Sequence, residues 1–277
     1  MPDLEPVLRV RFWGVRGSIP TPNAATRRYG GNTPCVEVRC GSHLIIFDAG
    51  TGIRQLGAAL LNEGELDADI MFSETRFNYM CGLPFFAPGY DAKNNIRAWA
   101  GHVGSLGSVQ RDLTAMMTSP LFPIPLSFIG GLKGCRDFIA GERLKPKPGI
   151  TVRTAALDHP LGATGYRVEH EGRVLCYISG TRHEPGEPNA AIIALIADAD
   201  AVIYDSFHAE ADYVADGACH STWQEGVRLC KAAGARRLIA FEHNPSHDDT
   251  YLDGVQAAIN NALPGSLVAA EGMSIDL

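Results

Sequence analysis

Short β-rich segments bounded by turn residues open the chain, give way to a helix, and then recur in that order. This double β-then-α progression constrains the fold more than any other feature. The first half sets residues 7–13, 35–40, 44–48 and 70–72, β-branched or aromatic-rich and flanked by Gly, Pro or Asn, as strands. Residues 53–61, IRQLGAALL, repeat apolar positions at three and four, which predicts a helix after the Gly-rich turn Gly50–Gly52. In the second half, strands are predicted at 151–156, 165–168, 174–178, 201–204, 236–241 and 267–270, and helices at 190–196, 223–233 and 248–262. Between the halves, residues 101–147 read as a loop-rich insertion, with three prolines in SPLFPIPLSFIGG (119–131). Two such halves predict an α/β architecture of two facing sheets with helices outside, although periodicity alone also allows one doubly wound sheet.

At 277 residues, with 45% hydrophobic and 20% charged residues, the chain is expected to fold as a single domain spanning 1–277. Its net charge of −7 argues against the broad basic face that duplex nucleic acid or an anionic membrane requires. The seven cysteines, at 35, 40, 81, 135, 176, 219 and 230, show no CxxC pair and fit reduced thiols. The first residues, MPDLEP, carry acids where a signal peptide needs Lys or Arg, and no run of about 18 apolar residues occurs. A soluble, cytoplasmic protein is expected.

Several longer stretches are irregular enough to carry a resemblance: RFWGVRGSIPTP (11–22), YGGNTPCVEV (29–38), FDAGTGIRQLG (47–57), GLPFF (82–86), SPLFPIPL (119–126), DHPLGATGYR (158–167) and CHSTWQEG (219–226). In these the chain resembles metallo-β-lactamase-fold hydrolases of the phosphodiesterase and ribonuclease Z-like type. The resemblance implies a four-layer αββα sandwich with its site where the loops of the two sheets meet. It also implies a His-x-His-x-Asp-His metal motif just before GLPFF, because zinc prefers imidazole and carboxylate ligands at fixed spacing.

That window here reads Glu74-Thr75-Arg76-Phe77-Asn78-Tyr79, and none of the four ligand positions keeps its ligand. The metal-bridging aspartate of a YISDT-like stretch is replaced in Tyr177-Ile178-Ser179-Gly180-Thr181, and the last ligand histidine corresponds to Glu242, or by a one-residue shift to His243. His159 alone persists as a clear ligand position. A catalytic zinc takes three protein ligands and a dinuclear centre more, so the sequence predicts loss of the family's metal centre and no cofactor. Arg76 and Arg182 would bring permanent cations near the former site, where with Glu74 and Glu242 they could form a buried ion network.

The leading expectation is therefore a catalytically inactive relative that binds a small anionic ligand, such as a nucleotide or cyclic nucleotide, with a regulatory output. Arg16, Arg76, Tyr79, His159, Arg182, His220 and Ser221 are the candidate contacts. For His220 and Ser221 the competing role is packing of a loop; for Arg16 it is stabilising a turn. Asp48 either orients a site residue or caps the turn that follows it. A second expectation is a phosphodiester hydrolase with a mononuclear metal site rebuilt from Glu74, His159, Glu242 and His243. The third is a purely structural or partner-binding protein whose old site is sealed by Arg–Glu pairs. The apolar residues of 120–129 suit a pocket cover, ordinary loop packing, or contact with a protein partner or a second copy. A serine hydrolase is disfavoured, since no GxSxG elbow is present.

Overall fold

In the first strand, β1 (Leu8–Gly14), Leu8, Val10 and Phe12 are buried while Arg9 and Arg11 face solvent. That period of two marks a sheet with one face on a core. The computed structural model describes residues 7–104, 107–214 and 219–277. The acidic start on which the leader expectation rested lies almost wholly outside them.

After β1 come β2 (Cys35–Cys40), β3 (His43–Phe47), β4 (Asp67–Phe72), β5 (Asn95–Ala100) and β6 (Leu132–Asp137). The second half supplies β7 (Arg143–Leu144), β8 (Ile150–Leu157), β9 (Ala163–His170), β10 (Arg173–Ile178), β11 (Ala201–Asp205), β12 (Leu238–Phe241) and β13 (Leu267–Val268), and β14 (Ser274–Asp276) ends the chain. These form two seven-stranded sheets, ordered β14-β1-β2-β3-β4-β5-β6 and β13-β12-β11-β10-β9-β8-β7. Each is antiparallel on one side and parallel on the other: β3 to β6 run parallel in the first, β10 to β13 in the second. The single doubly wound sheet is thereby set aside.

A core of residues from both sheets fills the space between them, from Leu8, Val36 and Ile45 on one side to Val168, Ile203 and Phe241 on the other. Helices cover the outer faces. Against the first sheet lie α1 (Ile53–Leu60), the single-turn α2 (Phe77–Met80) and α3 (Val109–Met116), with Ile53, Leu56, Met80 and Leu113 packing on Leu44, Ile46 and Ile70. Against the second lie α4 (Ala190–Ile196) and α5 (Trp223–Ala232), whose Ile192, Leu195, Val227 and Cys230 bury Val202 and Leu238, and α6 (Asp249–Ala262) beside Ala240 and Val268. The layers are thus helix, sheet, sheet, helix.

Within 101–147, where most residues are turns and loops, lie two elements unmarked in the sequence, α3 and β6, and β6 completes the parallel side of the first sheet. β5 was also unmarked in the sequence. Its Arg97 is buried against Asp69 of β4, with Nε to Oδ1 at 2.6 Å and Nη2 to Oδ2 at 2.9 Å, and Trp99 Nε1 donates to the same carboxylate at 2.8 Å. A charged side chain that is paired inside the fold breaks the apolar pattern without breaking the strand. Among the described residues, no helix is long and apolar enough to cross a membrane.

Candidate functional site

Parallel strands leave their carboxyl ends on one edge of a sheet, and in this sandwich the edges of both sheets meet there. Asp48 follows β3, Ser73 and Glu74 follow β4, Asp158 and His159 follow β8, Ser179 and Gly180 follow β10, Asp205 ends β11 and Glu242 follows β12. Asp48 and Glu242 both stand at left-handed φ, 58° and 62°. Such backbone costs a non-glycine residue about 1–2 kcal/mol, so the surrounding contacts must hold it in place.

Asp48 is fully buried, with burial pushing its carboxyl up to about 7. It accepts from Ser73 N at 2.8 Å, Ser73 Oγ at 2.7 Å and, across the sandwich, from Tyr177 OH at 2.7 Å. It therefore fixes the start of the segment 73–82, where the resemblance places the metal motif. The turn after Asp48 stays glycine at Gly50, where a Cβ would sit 2.7 Å from the Asn78 carbonyl oxygen of that segment.

Glu74 and Arg76 face each other at the centre. Arg76 Nη2 donates to Glu74 Oε1 at 2.9 Å and Arg76 Nε contacts Glu74 Oε2, a two-pronged ion pair. The guanidinium lies 5.3 Å from the Tyr79 ring centroid and donates to Tyr79 OH at 3.3 Å. Glu242 lies near enough to the Tyr79 hydroxyl for the two to act on each other electrostatically. Arg76, with its side chain 26% exposed, is the most open member; those of Glu74, Glu242 and Asp205 are exposed by 1%, 0% and 0%. Gly180 explains where the Glu74 carboxylate sits: a Cβ on Gly180, whose φ is +69°, would lie 1.6 Å from Glu74 Oε1. A side chain at position 180 and this placement of Glu74 exclude each other.

His220 joins the other two acids. Its Nδ1 lies 2.8 Å from Asp205 Oδ2 and 3.1 Å from Glu242 Oε2, and Phe207 stacks on its ring at 4.3 Å. Burial alone would lower the imidazole pKa, but the two carboxylates overcome it and hold His220 protonated, up to about 10. Glu242 is pushed up by burial but held below its ordinary range by His220 and Tyr79, and it also accepts from Ser179 Oγ at 2.9 Å. Asp205 is raised by burial and accepts Gly180 N at 3.1 Å and Thr181 N at 3.3 Å. Arg76 and His220 thus supply the cluster's positive charge and Glu242 an anion, while burial drives Asp205 up and pushes Glu74 up to about 8 against the pull of Arg76.

The residues named from sequence thus divide. Glu74, Arg76, Tyr79, His159, His220 and Glu242 come together. Ser221 is buried beside them but bonds His183 Nδ1 at 2.8 Å and Tyr204 OH at 2.9 Å, a packing role. Arg16 does not line the site: it is fully buried, donating to the carbonyls of Gly30, Asn244 and His247 at 2.7, 3.1 and 2.7 Å, so it secures turns. Arg182 points outward, to Asp158 at 3.0 Å and Glu184 at 4.0 Å. His243 leaves the rebuilt metal set, because its Nε2 donates to the Ala269 carbonyl at 2.7 Å. Asp205, unmarked in the sequence reading, is central. The available signal was an acid ending an apolar strand in AVIYD.

These donors do not fit the dinuclear zinc centre that the fold family implies. Arg76 places a permanent cation among them, and burial keeps Tyr79 a neutral phenol, well above its ordinary pKa. Position 180 has no donor, and Glu74 fills its space. Even His159 is turned the wrong way. Its Nδ1 accepts Leu161 N–H at 3.1 Å, and burial lowers its pKa to about 4, so the neutral ring carries its proton on Nε2, 3.7 Å from Glu74 Oε2. Among the described residues, the group that could gather round a cation is Asp205, His220 and Glu242, with ligand atoms within 4.8 Å of one another.

The comparisons with known proteins agree with the layers. No curated protein matches the sequence. The metallo-β-lactamase-fold protein YhfI from Bacillus subtilis is 15% identical, with a TM-score of 0.75 over 98% of this chain and 99% of that one. A diphosphatase of the PhnP family is 15% identical, with a TM-score of 0.70 over 98% of each chain. The short form of human tRNase Z is 20% identical, with a TM-score of 0.68 over 97% of this chain and 98% of that one. Residues 43–243 match the family described as the beta-lactamase superfamily domain. With that stretch matched and the two-sheet sandwich shared along nearly its whole length, the chain belongs to the beta-lactamase superfamily and has the metallo-β-lactamase fold.

Proposed function

We propose that this chain is a metal-free, non-hydrolytic member of its superfamily that acts by binding. The observation that carries this reading is the Arg76–Glu74 pair, set where the resemblance puts metal ligands and closed over Gly180. A hydrolytic zinc site needs an open coordination position for water. Here that volume holds a guanidinium and a carboxylate. The test is a panel of phosphodiesters and phosphomonoesters with added zinc or manganese: no turnover is expected, whereas turnover that disappears in Glu74→Ala would overturn the reading.

The geometry narrows the ligand as well. Of the five basic side chains expected for an anionic ligand, Arg16 and Arg182 are committed elsewhere, His159 is neutral, and His220 already spans two carboxylates. An anion would meet only the open edge of Arg76, beside Glu74, so nucleotides and cyclic dinucleotides are expected to leave the melting temperature unchanged.

A second reading rests on Asp205, His220 and Glu242, which could hold one divalent cation if His220 gave up its proton. With that proton held up to about 10, releasing it at pH 7 costs about 4 kcal/mol before any metal bond forms. Metal uptake that rises steeply with pH would favour this alternative.

A further inference from the structure

The segment 73–82 has two faces. Glu74, Arg76 and Tyr79 turn into the charged cluster. Thr75, Phe77, Met80 and Cys81 turn the other way and line a cavity of about 700 Å³. The opposite wall comes from Phe85 and from the region that follows β5: Asp112 and Met116 of α3, then Leu121 and Phe122. This volume lies within the usual range for small-molecule sites, and it is the more apolar of the two faces by far.

Its polar groups are already occupied. Thr75 Oγ1 donates to Asp112 Oδ2 at 2.7 Å, and Arg111 reaches the other carboxylate oxygen at 3.4 Å. The Cys81 thiol, pushed up by burial, is a weak donor at most. Apart from it no lining side chain is left to donate to a ligand, and an anionic or hydroxyl-rich molecule entering here would lose its hydration with little replacement. The walls are instead Phe and Met: Phe85 meets Phe122 edge-on at 5.8 Å, and Met80 and Met116 supply flexible thioethers that adapt to irregular apolar shapes. Phe77 and Leu121, 72% and 79% exposed, stand largely uncovered at the rim.

We propose that this cavity is a binding site for a neutral, apolar small molecule with an aliphatic chain or fused aromatic rings. The metal motif of the fold has thus been converted into the back wall of a lipophilic site, with Phe77 as the side chain that closes on the ligand. The inference stands on the cavity and its satisfied polar groups, and it holds whether or not Asp205, His220 and Glu242 take a cation.

The test is a fluorescence titration of the purified protein with N-phenyl-1-naphthylamine, an uncharged apolar probe, followed by competition. Saturable binding of one probe per chain is expected, with 1-dodecanol displacing it at a concentration at least about tenfold lower than dodecanoate, a discrimination of the size expected for one uncompensated polar group. Ala115→Trp, on the exposed side of α3 where it reaches into the cavity, should weaken the probe about tenfold or more with the melting temperature unchanged. Met116→Arg, which supplies a donor, should reverse the preference toward dodecanoate. Equal or better competition by dodecanoate in the wild type, absence of saturable binding, or insensitivity to both variants would overturn the proposal. So would a dimer that excludes the probe, since a second copy would then occupy the cavity.

Discussion

Gly180 and Glu74 make one choice between them. With a Cβ at 180 falling 1.6 Å from the Glu74 carboxylate and φ at +69°, Gly180→Ala is expected to cost about 3 kcal/mol or more from overpacking plus left-handed backbone, read as a shifted urea midpoint. Arg76 is the complementary case. Arg76→Ala leaves the buried Glu74 carboxyl with no cation; since that group is already pushed up to about 8, the cost should be small near neutral pH and grow as pH rises above that value, toward about 3–5 kcal/mol once the carboxyl is charged, while Glu74→Leu combined with Arg76→Met should cost far less than the sum of the two single changes. An additive double mutant would mean that the pair is not coupled. His243 gives a pH signature independent of this cluster. Burial holds it neutral, down to about 3, against an ordinary value near 6.5. The folded state therefore resists a proton that the unfolded chain accepts. Stability is unaffected above about pH 6.5 and falls below it toward pH 3 by about 1.4 kcal/mol per unit for this residue. His243→Gln should remove one proton's worth of that slope; an unchanged slope would show that His243 is not held neutral.

Elements were legible where a local rule set them. α4 was readable over its full span, from an apolar period with Asn189 ahead of it to accept the amides of Ala191 and Ile192. α6 was read one residue early, since Asp248 is its N-cap and accepts Tyr251 N at 2.8 Å. Asp248→Ala should therefore lower stability by about 1 kcal/mol without altering the cluster, measurable in the same urea series. β5 and β6 escaped because their polar residues answer to partners far along the chain, as Arg97 does to Asp69. The site divides along the same line. Glu74, Arg76, Tyr79, His159 and Glu242 lie within contiguous motifs and could be named. Asp205 gains its role only when β10, β11 and β12 lie side by side, and Arg182, two residues after Gly180, turns outward for reasons no spacing could reveal.

At the scale of the molecule, the apolar core between the sheets ends where the two parallel edges meet, and the ion network closes that end. Phe47 stacks on Tyr177 at 4.7 Å directly beneath Asp48, so the last apolar layer is tied to the first polar one. Here Arg76 from the first sheet and His220 and Glu242 from the second bridge the two sheets with charge carried by the chain itself. Stability should accordingly be indifferent to chelators. The most direct measurement is metal content by elemental analysis of protein purified without a tag, before and after soaking in zinc and in manganese at neutral pH. Well under one equivalent is expected in every case; one bound equivalent, displacing the proton from His220, would contradict a metal-free centre.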